Sequence, residues 1–246
     1  MIILINNKFT TTKNAKVSIF TNSFQYGHGV FETLRTYNKI PFKPKEHISR
    51  LANSAKQLNL KLKYSKQQIL SQLNKVAKKS PHSSQKIKII ATAEDLIIFS
   101  QKLTITKTIY KGISLKTVTQ KRFFPSAKTL NYLDSYLAHQ KAAKQGYYDA
   151  LLIDENKEVY EGAYSNIFWL EGTTLCTRKD SVLHGITLQT VINNWPHKVK
   201  YSNPTLSQLL KKKNIYLTQT TTGVVPITKI DNKTISFSYT PPPKLK

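Results

Sequence analysis

The stretch from Thr119 to Ala127, with its paired basic residues and Pro125, interrupts a chain in which strand-period and helix-period segments otherwise follow one another closely. A break of this kind marks a seam between two compact units. At 246 residues the chain has room for two domains of about 100 to 150 residues. The expected division is an N-terminal α/β domain over 1–118, a linker over 119–126 and a C-terminal domain over 127–246. No period of about 20 to 50 residues recurs, and strands and helices are too mixed for a solenoid.

Before the seam, Ile2 to Ile5 and Phe9 to Thr12 flank the Asn6-Asn7 pair as a hairpin. Phe24 to Gly29 reads as a loop whose glycines permit close backbone approach. Val30 to Tyr37 follows as a strand, and period two puts Phe31, Thr33, Arg35 and Tyr37 on one face. Pro44 opens a helix carrying Ile48, Leu51, Ala52, Ala55 and Leu58, with His47 and Arg50 sharing a face beside that stripe. Ser65 is the N-cap of a second helix with Ile69, Leu73, Val76 and Ala77 inward. Lys86 to Thr92 and Asp95 to Ser100 read as strands with almost no loop between them, and Leu103 to Val118 continues the β pattern.

Beyond the seam, Leu130, Leu133, Leu137 and Ala138 define a helix that Gly146 stops. Ala150 to Asp154 and Val159-Tyr160 flank a polar turn, and Asn166 to Leu170 pairs with Thr173 to Thr177 across Glu171-Gly172. Gly185-Ile186-Thr187 leads into a helix ending near Trp195-Pro196, and Pro204 starts a short one. Ile215 to Thr218, the run Thr220-Thr221-Thr222-Gly223 and Val224 to Ile227 close the pattern, with Pro241 to Lys246 as an unstructured end.

Composition narrows the function classes. The net charge is +25, yet only four of the 38 basic residues are arginines and the lysines are spread over nearly every polar face. That pattern describes a solvated surface with weak, salt-dependent affinity for polyanions, not a specific nucleic-acid interface. One cysteine fits a reducing compartment, and six histidines without ligand spacing give no reason to expect a metal site. The chain has no run of 18 apolar residues and starts without a basic, then apolar, leader, so neither a membrane span nor a secretory signal is expected and the cytoplasm is the expected location. Neither GxGxxG, GxxxxGK[ST] nor GxSxG occurs.

Lys128 sits at the end of a segment with β character and just before a helix, and Glu161 follows among small residues. An amine that condenses with an aldehyde, and a carboxylate that keeps a pyridine nitrogen protonated, are the two groups that pyridoxal 5'-phosphate chemistry requires. A phosphate anchor needs a forked cation and free N–H groups, which Arg50 and the helix start at Ile186-Thr187 can supply. Thr220 and Thr221 add hydroxyls, and the Tyr132 phenol falls four residues after Lys128, one turn along if the helix has begun by then. Taken singly, Arg50 also reads as a helix-face charge, Glu161 as an exposed turn residue, Tyr132 as a surface or core tyrosine, and the threonines as turn filler. Their combination is informative because it asks for different residue types at separated places.

Five ordered motifs carry a resemblance: Tyr26-Gly27-His28-Gly29-Val30-Phe31-Glu32, His47-Ile48-Ser49-Arg50-Leu51, Lys128-Thr129-Leu130-Asn131-Tyr132-Leu133, Glu161-Gly162-Ala163-Tyr164-Ser165-Asn166-Ile167-Phe168 and Gly185-Ile186-Thr187-Leu188. Together they resemble the class IV (fold type IV) aminotransferase family over residues 2 to 228. The resemblance implies a two-domain α/β (α+β) fold, with a small N-terminal α/β domain and a larger, β-barrel-like C-terminal domain that binds pyridoxal 5'-phosphate. It implies Lys128 as the Schiff-base lysine and proton shuttle, and Glu161 as partner of the pyridine nitrogen. Arg50, Ile186, Thr187 and Thr220 would hold the phosphate and Tyr132 the 3'-oxygen, with Tyr26, Phe31 and Thr33 lining the substrate pocket. A homodimer is implied, as is transfer of an amino group between a small 2-amino acid and a 2-oxo acid.

Thr33 resembles the 4-amino-4-deoxychorismate lyase branch, which makes release of pyruvate a second reading. A catalytically idle polyanion binder is a third. Leu188 stands where the family commonly has Arg, and His28 where Asp is common. Ala91 to Asp95 replaces an arginine-glycine turn, and Ser236 to Tyr239 with the proline tail replaces a C-terminal helix.

Overall fold

The computed structural model describes residues 1–237. Ser238, Tyr239 and the proline tail, which bear on the expected unstructured end and the missing C-terminal helix, lie outside them. The chain forms two compact units, one of Met1–Thr104 with Ala127–Asn131, the other of Ile105–Ser126 with Tyr132–Lys246.

The first unit contains β1 (Ile2–Ile5), β2 (Lys8–Thr10), α1 (Asn22–Tyr26), β3 (Val30–Tyr37), β4 (Ile40–Pro41), α2 (Pro44–Gln57), α3 (Lys66–Lys79), β5 (Gln85–Ala91) and β6 (Leu96–Lys102). Its sheet runs β2-β1-β6-β5-β3-β4, antiparallel throughout. Asn6 and Asn7 turn the first hairpin, and Asn38 and Lys39 the β3–β4 one, all four at positive φ, as a tight hairpin with right-handed strand twist requires. Period two sends Val30, Leu34, Ile87, Ile89, Leu96 and Ile98 inward against Ile48, Leu51 and Ala55 of α2 and Ile69, Leu73 and Val76 of α3. Full burial of each such side chain stabilises by about 1.5–3 kcal/mol. Glu32 lies on that same inward face and is 0% exposed.

Residues 127–131 belong to this first unit by hydrogen bonding. The Phe31 N–H donates to the Lys128 carbonyl (3.0 Å), the Leu130 N–H to the Gly29 carbonyl (2.8 Å), and Val30 bridges Thr129 in antiparallel register. The unit boundary therefore differs from the expected one. It falls after Thr104, and the basic, proline-bearing stretch 119–126 lies within the second unit. A change in composition is a property of neighbours in sequence, whereas the units are set by which strands pair.

The second unit opens with a 3₁₀ turn (Lys107–Lys111) and β7 (Ile113–Thr119), then α4 (Leu133–Lys144), β8 (Asp149–Ile153), β9 (Val159–Gly162), β10 (Asn166–Glu171), β11 (Thr174–Thr177), α5 (Ile186–Asn193), β12 (Val199–Tyr201), α6 (Leu206–Leu209), β13 (Lys213–Gln219), β14 (Gly223–Ile230) and β15 (Lys233–Thr234). Its mixed sheet runs β12-β11-β10-β13-β14-β7-β8-β9, with β15 beside β14. β9 passes through Ala163–Ser165 straight into β10, so the sheet curls into a half-barrel. Alternate residues of β10 serve two cores: Ile167 and Trp169 pack with Ile215, Leu217 and Val225, while Phe168 and Leu170 pack with Leu188 and Val191 of α5.

Three expected elements come out differently. The loop expected at Phe24–Gly29 begins as helix α1, because the Thr21 hydroxyl caps the Phe24 N–H and Gly27 closes it in the left-handed conformation. The β pattern expected over Leu103–Val118 is interrupted by the 3₁₀ turn. Helix α4 starts only at Leu133, so Lys128, Leu130 and Tyr132 are not on a helical turn, and the expected leucine stripe faces outward: Leu133 and Leu137 are exposed, while Ser135, Ala138 and Ala142 are buried. Small residues let that helix approach Val118, Ala150 and Leu152 closely. Among the described residues no helix is long and apolar enough to cross a membrane, and no group of three metal-ligating side chains occurs.

Candidate active site

In the first unit, α2 presents His47, Arg50 and Ser54 along one side, as positions three and four apart on a helix must be. All three meet groups on β3 or on residues 127–131. Glu32 accepts a hydrogen bond from His47 Nδ1 (2.7 Å) and takes the Arg50 fork on both oxygens, Nε to Oε1 and Nη2 to Oε2, each at 2.7 Å. Burial, the largest effect on the Glu32 pKa, raises it, but the charges and hydrogen bonds of Arg50 and His47 outweigh it and bring the value down to about 2. The same burial pushes His47 down and favours its neutral form; its Nε2 is buried and has no hydrogen-bond partner.

Lys128 is fixed by its backbone, its N–H donating to Ser54 Oγ (3.0 Å) and its carbonyl accepting from Phe31. Its Nζ stands 4.5 Å from the centroid of the Phe31 ring, and Lys88 Nζ stands 4.7 Å from the same centroid. Burial, with a smaller contribution from Lys86, lowers the Lys88 pKa. Among the described residues no carboxylate pairs with Lys88, and Thr33 is its partner across the strands. Tyr26, at the end of α1, is exposed.

In the second unit Glu161 is 4% exposed and well supplied with donors. Arg122 Nη1 reaches Oε1 (3.0 Å), and Asn166 Nδ2 and the Leu183 N–H reach Oε2 (both 3.1 Å). The Asn166 amide also donates to the Leu183 carbonyl (2.7 Å), which fixes its orientation. A Cβ on Gly185 would run into Asn166 Oδ1, so only glycine admits this arrangement. Arg122 also lies over the Tyr132 ring, 5.6 Å from its centroid. The Tyr132 phenol donates to the Ala163 carbonyl (3.1 Å), and burial, with smaller opposing and reinforcing charges, pushes its pKa well above the ordinary tyrosine value. It keeps its proton.

Helix α5 starts at Ile186 with Gly185 as N-cap, so its N-cap residue has no side chain to cover the first N–H groups. Thr187 Oγ1 is buried with no hydrogen-bond partner. Asn166 abuts Gly185 and pairs with Thr218, so the Thr220-Thr221 turn after β13 and the start of α5 lie at the same end of the sheet. An orphaned hydroxyl beside an uncapped helix start is a fit for a phosphate group. With Glu161 and Tyr132 in the same unit, the donor set fits a phosphorylated hydroxypyridine.

The structure thus groups Lys128, Arg50, Phe31 and Thr33 in one unit, and Tyr132, Glu161, Ile186, Thr187, Thr220 and Thr221 in the other. Residue types and spacing alone assign no role to Glu32, His47, Lys88, Arg122 or Asn166. For Arg122 a signal exists, since it is one of only four arginines; a lysine such as Lys88 is hidden among the others.

The family pattern described as amino-transferase class IV matches residues 29–230. A Methanocaldococcus jannaschii protein bearing the name of a branched-chain-amino-acid aminotransferase is 32% identical over 96% of this chain and 90% of its own length. The aminodeoxychorismate lyase of Bacillus subtilis is 28% identical, over 93% and 86%. The solved branched-chain amino acid aminotransferase of T.th. with pyridoxamine 5'-phosphate superposes with a TM-score of 0.88 at 27% identity, covering 96% of this chain and 87% of that one.

Proposed function

The chain belongs to the class IV aminotransferase family, and from that premise we propose that it transfers an amino group between a small 2-amino acid and a 2-oxo acid with pyridoxal 5'-phosphate as cofactor. The observation that carries the proposal is the pairing, within one unit, of a buried Glu161 cluster with an uncapped helix start and an orphaned Thr187 hydroxyl. One accepts a proton-bearing ring nitrogen; the other cradles a phosphate. The cofactor, when bound, supplies an electron sink for the carbon that carries the amino group.

Lys128 Nζ is the amine that holds the cofactor and then accepts and returns the substrate α-proton. Glu161 Oε1 and Oε2, oriented by Arg122, Asn166 and Leu183, hold the proton on the ring nitrogen. Tyr132, protonated across the working pH range, would turn its O–H from the Ala163 carbonyl to the ring oxygen. Ile186, Thr187, Thr220 and Thr221 would hold the phosphate; the resemblance gives Arg50 the same task, although Nε and Nη2 of its fork are taken by Glu32 in this structure. Phe31 and Thr33 line the substrate side with Tyr26, and Lys88 offers a substrate carboxylate a half-buried cation.

Exposed Ile19, Phe20 and Phe24 support a homodimer as the working assembly. The single cysteine, Cys176, supports a cytoplasmic, reducing setting. The 28% identity to the lyase keeps pyruvate release as the second reading.

Borohydride reduction of the holoenzyme followed by peptide mapping should place the label on Lys128; a label on any other lysine refutes the assignment. Mixing the holoenzyme with an amino acid alone should convert the visible absorbance to the pyridoxamine form. Pyruvate release from 4-amino-4-deoxychorismate, with no such conversion by an amino acid, would establish the lyase instead.

A further inference from the structure

Three rings of the second unit form a continuous column that the activity described above does not use. The Tyr132 and Tyr164 rings stack at 5.6 Å with an interplanar angle of 15°, and the Tyr164 and His139 rings meet at 4.6 Å. His139 Nδ1 donates to Asp149 Oδ1 (3.0 Å), and Asp149 is 3% exposed. The same carboxylate accepts the Ser165 hydroxyl (3.0 Å), the Ala150 N–H (2.9 Å) and the Tyr164 N–H (3.4 Å). It therefore fastens both the outer ring of the column and the backbone that carries the middle ring. The turn can close this tightly only because Gly162 has no Cβ, which would strike Ser165 Oγ.

We propose that His139 and Tyr164, anchored on Asp149, are positioning residues that fix the Tyr132 ring, so that its phenol, which donates to the Ala163 carbonyl in this structure, need only turn its O–H to meet the cofactor's ring oxygen. The inference rests on the proposed role of Tyr132. Core filling is a poor account of the column, because the His139 side chain is 29% exposed and Tyr164 is only partly buried. Stacking restricts ring orientation without adding a polar contact, which keeps the phenol oxygen in place while its O–H turns from the Ala163 carbonyl to an incoming acceptor.

The test compares the holoenzymes of wild type, Tyr164→Leu, Tyr164→Phe, His139→Leu and Tyr132→Phe by two measurements: the pyridoxal 5'-phosphate dissociation constant, and the pH midpoint of the cofactor's visible absorbance. Tyr164→Leu and His139→Leu should weaken retention about 2- to 10-fold, the range expected for loss of one aromatic pair, and move the midpoint in the direction that Tyr132→Phe moves it. Tyr164→Phe, which keeps the ring, should behave as wild type. If Tyr164→Leu does not fold, His139→Leu carries the same expectation from outside the turn. Wild-type midpoints in both leucine variants, beside a shifted Tyr132→Phe, overturn the column. A Tyr132→Phe protein with an unshifted midpoint overturns the reading of Tyr132 and the column with it.

Discussion

Glu32 stays ionised in the apolar interior of the first unit because Arg50 and His47 take both of its oxygens. A carboxylate with a depressed folded-state pKa contributes stability that is complete above its unfolded value of 4.5 and is lost as pH falls towards about 2. His47 acts with the same sign and earlier. Its folded pKa lies below 6.5, so acid begins to favour the unfolded chain as soon as the pH drops under that value. Urea titrations at falling pH should therefore show stability declining from just below 6.5, and His47→Gln should remove the first part of that decline. Glu32→Gln leaves Arg50 facing a neutral group and should cost about 3 kcal/mol in the same measurement at neutral pH. Gly185→Ala should displace Asn166 from Glu161, visible as weaker cofactor retention in a protein with an unchanged far-UV spectrum. Of these residues Arg50 and Glu161 were legible as functional, whereas Glu32, His47 and Asn166 stood only as members of the quoted motifs. A buried carboxylate is indistinguishable from a surface one until its partners are known.

At the scale of elements, local rules carried far where apolar periodicity and end signals agreed. α3 begins at Ser65 with a reciprocal cap, the serine hydroxyl accepting from the Gln68 N–H and the Gln68 side chain accepting from the Ser65 N–H. Ser65→Ala should cost about 1 kcal/mol, measurable as a lower thermal midpoint with no effect on cofactor binding. α5 offers the opposite case, a start left uncapped. Thr187→Val keeps its shape and removes the orphaned hydroxyl; it should weaken pyridoxal 5'-phosphate about 10-fold, on the order of one hydrogen bond to a charged group, and leave folding intact. α4 shows where such rules stop. Its leucines follow a helical spacing, but alanine and serine win the inward face because the sheet beneath leaves room only for short side chains.

For the whole molecule, the net charge of +25 predicts salt-dependent retention on a polyanion such as heparin. That retention should be unchanged in Lys128→Ala; elution of the variant at clearly lower salt would instead tie the surface charge to the catalytic lysine. Sequence alone determined the order of most strands and helices, local properties written in period two, period 3.6 and end-capping residues, while the fold class and the residues to be tested came from the resemblance that five spaced motifs carry. Only the tertiary structure decided that residues 127–131 pair with β3 while 119–126 belong to the other unit, that Arg50 grips Glu32, and that Glu161 is held by Arg122, Asn166 and Leu183. Apart from the Asn166 contact, which spans five residues, these rest on hydrogen bonds or strand pairings between segments well separated along the chain. Periodicity says which way a side chain points and nothing about what comes to meet it.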